Sequence, residues 1–288
     1  MEWLNDLFAT LDFEWWQVAL ILVAGVWAGL INTIVGSGTL VTFPVLVTMG
    51  VPPVTATMSN AMGLIAGNLT GAWGYRKKLK GVGRTLLKLI PCSVVGGVAG
   101  AALLMHLPEE VFAYVAPVLI VVALGFVVFQ PRLQSAVRAS KEKQAQKAAE
   151  KAEARGEEVQ PMDPDKEAQP LSLYVLVFFA GVYGGYFVAA QGVLLLGILG
   201  VFLMASMQSA NAVKTVLVAV VNIVAAVSYV IFAFDRLDWW VVVLIAISST
   251  VGSWVGAKVG QRLSPIALRT VIVVLGVVAL GNMIRQLL

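Results

Sequence analysis

Apolar residues run along this chain in long unbroken blocks at 17–35, 54–75, 85–105, 111–130, 171–190, 211–234, 239–257 and 266–284. Each meets or approaches the roughly 20 residues of helix that cross a hydrocarbon core. None alternates over about ten residues as a barrel strand would. The pattern therefore predicts helices, which satisfy their own backbone hydrogen bonds in lipid. Two shorter blocks, 39–50 and 193–207, each follow a glycine break and are too short to cross alone. Pro52 and Pro53 close the first with a firm turn, because proline cannot continue a helix. The counterpart at 204–210 has no proline. Re-entrant hairpins and tilted crossings both fit these two short blocks.

The two breaks correspond. Gly25, Gly29 and Gly36 fall on Gly181, Gly185 and Gly192 at one constant offset. Duplicated membrane segments interrupted at matching positions are the sequence pointer to a transporter's binding site. The expected fold is an all-α polytopic membrane protein built as an inverted repeat of two homologous helical bundles. Each bundle holds about four full helices plus one short or re-entrant helix. The expected units are an N-terminal repeat 1–130, a polar linker 131–170 and a C-terminal repeat 171–288. Alternating access is expected from rocking of the two halves. Glycines four residues apart at Gly63/Gly67/Gly71, Gly96/Gly100 and Gly252/Gly256/Gly260 read as close helix packing.

Charge sets the sidedness. The chain is 59% hydrophobic and 12% charged, with mean hydropathy +0.87. A soluble domain carries about 25% charged residues, so this one belongs in lipid. Six basic residues lie between Arg76 and Lys88, and eight lie in the linker. Lys and Arg mark the cytoplasmic side, so both stretches are expected there. The acidic N-terminus, with Glu2, Asp6, Asp12 and Glu14, is expected outside; its sequence does not read as a signal peptide. The basic loop at 76–84 corresponds to the acidic 234–238, and the base-free turn at 106–110 to a segment carrying Lys258, Arg262 and Arg269. The sign reverses at both positions, which is the charge pattern of an inverted repeat. Within the linker, 135–155 reads as a polar helix and 161–170 as a Pro/Asp-rich tether.

No Asp or Glu falls inside an apolar block. An intramembrane carboxylate relay for ion coupling is therefore not expected. Lys214 is the exceptional base, in a segment that continues apolar to Phe234. It reads either as a cation facing an anion or as a residue snorkelling from a helix end. Around the breaks lie polar groups suited to an oxyanion. The candidate substrate-binding residues are Asn32, Thr33, Gly36, Ser37, Gly38, Ser59, Asn60, Gln191, Gly192, Gln208, Asn211 and Lys214. Free N–H groups at a helix start bind anions, and glycine lets a ligand approach the backbone. A single Ser or Thr more often bonds back to a carbonyl one turn earlier.

One cysteine, Cys92, and one histidine, His106, leave no metal centre in view; no cofactor or catalytic residue is expected. His106 reads as interfacial. An enzyme would need a nucleophile with a base, or a metal cluster, so the enzyme class is disfavoured. The alternative is a non-enzymatic channel, or a partner protein, for another small anion. The expected partners are a small anion and the bilayer; a homo-oligomer is left open and no nucleic acid is expected.

The run Gly29-Leu-Ile-Asn-Thr-Ile-Val-Gly36-Ser37-Gly38, with Pro44, Gly50-Val-Pro52 and Ala56-Thr-Met-Ser59-Asn60, resembles the TauE/SafE family. The resemblance covers nearly the whole chain. It implies a secondary transporter of small sulfur-containing anions, such as sulfite, sulfoacetate or other sulfonates. It further implies a place in the prokaryotic cytoplasmic membrane and outward movement. Two departures stand out: Ser37 interrupts a cluster that is often three glycines, and the second half carries Ala190-Gln191-Gly192-Val193.

Overall fold

A computed structural model describes residues 13–155, 165, 169–203, 205–259 and 265–287. The described residues form ten α-helices: α1 (Trp15–Ile34), α2 (Thr39–Thr48), α3 (Pro53–Gly74), α4 (Gly83–His106), α5 (Glu109–Arg155), α6 (Leu171–Tyr186), α7 (Gln191–Phe202), α8 (Met207–Phe232), α9 (Trp239–Val259) and α10 (Pro265–Leu287). Short 3-10 turns at Arg76–Leu79 and Phe234–Arg236 join α3 to α4 and α8 to α9. Every apolar block carries a helix, both short blocks are short helices, and the block 171–190 leaves its helix after Tyr186. The all-α polytopic class follows directly.

Local chemistry sets the helix ends. Glu14 and Gln17 form a capping box at the start of α1, meeting amides that have no intrahelical partner. Pro53 occupies the first helical position of α3, where its missing N–H costs nothing. The Ser206 hydroxyl accepts the Ser209 amide at the start of α8. Asp165, from the linker, accepts the Thr85 amide at 2.8 Å and so caps α4.

One boundary differs from expectation. The apolar block 111–130 and the polar segment 135–155 form a single helix of 47 residues, with Pro117 and Pro131 inside it. Pro131 removes one backbone donor, but the Ala-, Lys- and Glu-rich sequence beyond it consists of strong helix formers. The tether lies outside the described residues except for Asp165, Gln169 and Pro170, and so do Trp3, Met204, Gly260, Arg262 and the acids before Phe13.

Among the described residues, five helices are long and apolar enough to cross a membrane: Trp15–Ile34, Gly83–His106, Glu109–Ala136, Met207–Phe232 and Trp239–Lys258. Although α3 has 22 residues, it carries Asn60, Asn68, Thr57 and Ser59, all buried. These four polar side chains face protein rather than lipid, while Leu69 and Trp73 on the same helix are exposed.

The helices pair across the two sequence halves. α1 packs on α9, and α6 on α4. Glycines make both contacts close. A Cβ on Gly29 would stand 2.1 Å from the Ser249 carbonyl oxygen, and one on Gly100 2.1 Å from that of Val182. Small residues allow this approach of backbones in lipid. Further pairs follow the same scheme. α3 packs on α9 and α8 on α4; α2 meets α10 and α7 meets α5; α3 meets α8, and α5 meets α10. Exchanging the first five helices with the last five leaves this set of pairs unchanged. The closest-packed units, α1–α3–α9 and α4–α6–α8, each draw on both halves. Rocking of the sequence halves as rigid bodies does not fit this packing.

Candidate functional site

The two helix breaks touch. After α1, Gly36 turns the chain at φ +93°, a conformation glycine adopts without strain. After α6, Val188 and Ala190 take φ 63° and 58°. Left-handed backbone at non-glycine residues costs roughly 1–3 kcal/mol each and clusters at ligand sites and switches. Gly36 and Gly192 then meet backbone to backbone. A Cβ on Gly36 would lie 2.7 Å from the Gly192 carbonyl carbon, and one on Gly192 2.6 Å from the Gly36 oxygen.

α2 begins three residues after Gly36, and Gly192 is the second residue of α7. Two helix N-termini therefore converge on one point. Leu40 and Val41 return their amides to Ser37 and Gly38, and Val193 and Leu194 return theirs to Ala190. The amides of Ser37, Thr39 and Gly192 have no acceptor among the described residues. Each N-terminus also carries about half a positive charge from the peptide dipoles. Beside them, the Ser37 hydroxyl and both amide atoms of Gln191 lack partners among the described residues, although the two residues are only 1% and 0% exposed. The Gln191 carboxamide lies against Gly184, where a Cβ would come within 2.1 Å of its carbon.

The carboxyl end of α1 is held from α8. Lys214 Nζ donates to the Asn32 carbonyl at 3.2 Å, and Asn211 Nδ2 donates to the Thr33 carbonyl at 3.3 Å. These carbonyls are orphaned by the helix end and form its negative pole, where a cation is favoured. The ammonium of the buried Lys214 thus sits on a backbone carbonyl. At the other break, the Tyr229 hydroxyl donates to the Gly185 carbonyl at 2.9 Å. The Asn32 side chain donates to Asn68 Oδ1 and accepts the Gly38 amide at 3.4 Å, which holds the turn closed.

Asn60 fastens α2. It accepts from the Thr42 hydroxyl and donates to Thr39 Oγ1 at 3.2 Å. Thr33 bonds back to the Gly29 carbonyl at 2.9 Å, the ordinary fate of a helical threonine. Two candidates fall elsewhere. The Ser59 hydroxyl accepts the Asp238 amide at 2.9 Å, at the start of α9. Gln208, in the first turn of α8, is exposed. The structure thus gathers Asn32, Thr33, Gly36, Ser37, Gly38, Gln191, Gly192, Asn211 and Lys214 around the breaks, with Asn60 one layer behind. Among the described residues no cluster of three or more His, Cys, Asp or Glu occurs.

A family model described as Sulfite exporter TauE/SafE matches residues 21–283. The chain belongs to the TauE/SafE family. This TauE/SafE protein is 25% identical over 134 residues to Probable membrane transporter protein YfcA of Escherichia coli (strain K12), covering 46% of this chain and 48% of that one. It is 28% identical over 116 residues to Probable membrane transporter protein ORF9 of Sinorhizobium sp, covering 40% and 44%. The chain therefore spans about half the length of the curated relatives it matches. No solved structure matches it. Membership makes it a multi-pass membrane protein of a transporter family.

Several residues that hold the breaks in this TauE/SafE protein have weak sequence signals. Asn68 stands in an apolar block eight residues beyond Asn60. Thr42 follows Thr39 by one helical turn. Tyr229 looks like an ordinary member of an apolar helix until its face is known.

Proposed function

We propose that the protein is a secondary transporter that exports sulfite or organosulfonates across the cytoplasmic membrane by alternating access. One observation carries this reading: the N-termini of α2 and α7 converge at Gly36 and Gly192, beside the unpaired polar groups of Ser37 and Gln191. Convergent amides and two positive dipole ends favour an anion. No carboxylate stands in any apolar block, so a cation has no counter-charge there.

The exchange-symmetric helix pairing supports an inverted repeat. Five successive helices in the first half leave the second half starting from the opposite side. With the basic 76–88 stretch and the linker cytoplasmic, the N-terminus lies outside. Burial of Ser37, Gln191 and Gly192 describes a closed site, so entry of an anion needs movement. The units that move are α1–α3–α9 against α4–α6–α8.

Flux measurements in proteoliposomes test the reading, using sulfite, sulfoacetate, taurine and sulfate. Uptake of sulfite or a sulfonate supports it. Movement of cations or neutral solutes with no anion transported overturns it.

A further inference from the structure

The α8 helix carries one polar stripe along its length. Asn211, Lys214, Val218, Asn222, Ala225 and Tyr229 are spaced three, four, four, three and four residues apart, which is one face of a helix of 3.6 residues per turn. Two members fix where that face points. Lys214 reaches the end of α1 at the Asn32 carbonyl, and Tyr229 reaches the end of α6 at the Gly185 carbonyl. Asn222 lies between them, about 12 Å along the axis from Lys214 and about 10 Å from Tyr229 at 1.5 Å per residue. It shares the helix face that carries Lys214 and Tyr229. Its side chain is 0% exposed, and neither amide atom has a partner among the described residues. Gln191 is in the same condition, its carboxamide packed against Gly184, the neighbour of the residue that Tyr229 reaches.

The unpaired atoms of Ser37, Gln191 and Asn222 are of two kinds. Gln191 Nε2, Asn222 Nδ2 and the Ser37 hydroxyl can donate. Gln191 Oε1 and Asn222 Oδ1 can only accept. The oxygens of a bare oxyanion satisfy the first set and leave the second unpaired. A buried acceptor without a donor is disfavoured in a low-dielectric interior. A ligand that pairs both sets carries its own O–H or N–H.

Resting on the transport reading above, we propose that Asn222 is a substrate-binding residue. With Gln191 it selects small anions that bear a hydrogen-bond donor beside the oxyanion. The amide N–H groups hold the oxyanion, and the amide carbonyls accept from the ligand's donor.

Competition against labelled sulfite uptake into proteoliposomes tests this. The probes are 2-hydroxyethanesulfonate and 1-propanesulfonate, monoanions of similar size that differ by hydroxyl against methyl. The hydroxyl compound is expected to compete at about tenfold lower concentration, since a site with polar groups to pair discriminates against the analogue lacking the partner. Asn222→Leu and Gln191→Leu are each expected to bring the two within about threefold. Equal competition in the wild-type protein overturns the inference while leaving the anion reading intact; buried water would then be what pairs the amides. A preference that survives in both variants overturns it as well. If labelled sulfite does not enter at all and neither sulfonate binds, the anion reading fails and takes this inference with it.

Discussion

Gly36 and Gly192 stand backbone against backbone, each occupying the space a Cβ on the other would need. They come from corresponding breaks in the two halves, and each sits where a short helix begins. The contact joins a sequence repeat to a site. Alanine at 192 would press on the Gly36 carbonyl oxygen at 2.6 Å, and alanine at 36 would also be held at φ +93°. Forced overpacking costs about 1–3 kcal/mol. Gly192→Ala is expected to lower the melting temperature in detergent and to cut anion flux at least about tenfold. Unchanged flux and stability would mean that the two breaks are not in contact.

Lys214 anchors the carboxyl end of α1 through the Asn32 carbonyl. Lys214→Met removes the donor and the cation at that helix pole. A hydrogen bond to a charged group is worth about 1.5–3 kcal/mol. The variant is expected to unfold more readily and to lose anion binding, with helix content retained. Circular dichroism, thermal unfolding and ligand titration separate these effects. Retained binding would confine Lys214 to holding α1.

Tyr229→Phe isolates the matching contact at the other break. It deletes only the hydroxyl that serves the Gly185 carbonyl. The expected loss is about 1 kcal/mol of stability, read from thermal or denaturant unfolding. A neutral result would place another donor on that carbonyl.

The linker supplies a pH-sensitive clasp. Burial alone would raise the Asp165 pKa. The amides of Thr85, Arg84 and Gly83 and the Thr85 hydroxyl outweigh it, and the carboxyl titrates below its ordinary value. A depressed folded-state pKa means the contact stabilises fully above the unfolded-state pKa and fades as pH falls through the folded one. Hydrogen exchange at Arg84 and Thr85 is expected to lose protection on acidification below that range. Asp165→Asn is expected to lose part of it already at neutral pH. Identical protection in the variant would show that the carboxylate charge does not matter.

Much of this architecture is written in the chain. Helix positions follow from apolar blocks because lipid requires each backbone to pair with itself. The glycine correspondence marks the breaks because close backbone approach excludes a side chain. What one dimension does not carry is the azimuth of each helix. Ser59 and Asn60 are neighbours, yet one bonds Asp238 and the other clamps α2. Gln208 is close to Asn211 in sequence and points outward. Asn68 and Asn222 read as isolated amides until their faces are fixed. Lys214 is legible as anomalous, but its carbonyl partner lies 182 residues away. The fusion of 111–130 with 135–155 reflects propensity beyond Pro131, which a break-seeking reading underweights.

Counterflow exchange tests the central claim most directly. Proteoliposomes loaded with unlabelled sulfite or 2-hydroxyethanesulfonate are diluted into the same labelled anion. The account predicts transient accumulation of label in the wild-type protein, none with an alkylammonium ion, and none in a Ser37→Ala, Gln191→Leu double variant that still purifies as a folded, monodisperse protein. Accumulation of the cation, or undiminished anion exchange in the double variant, would contradict it.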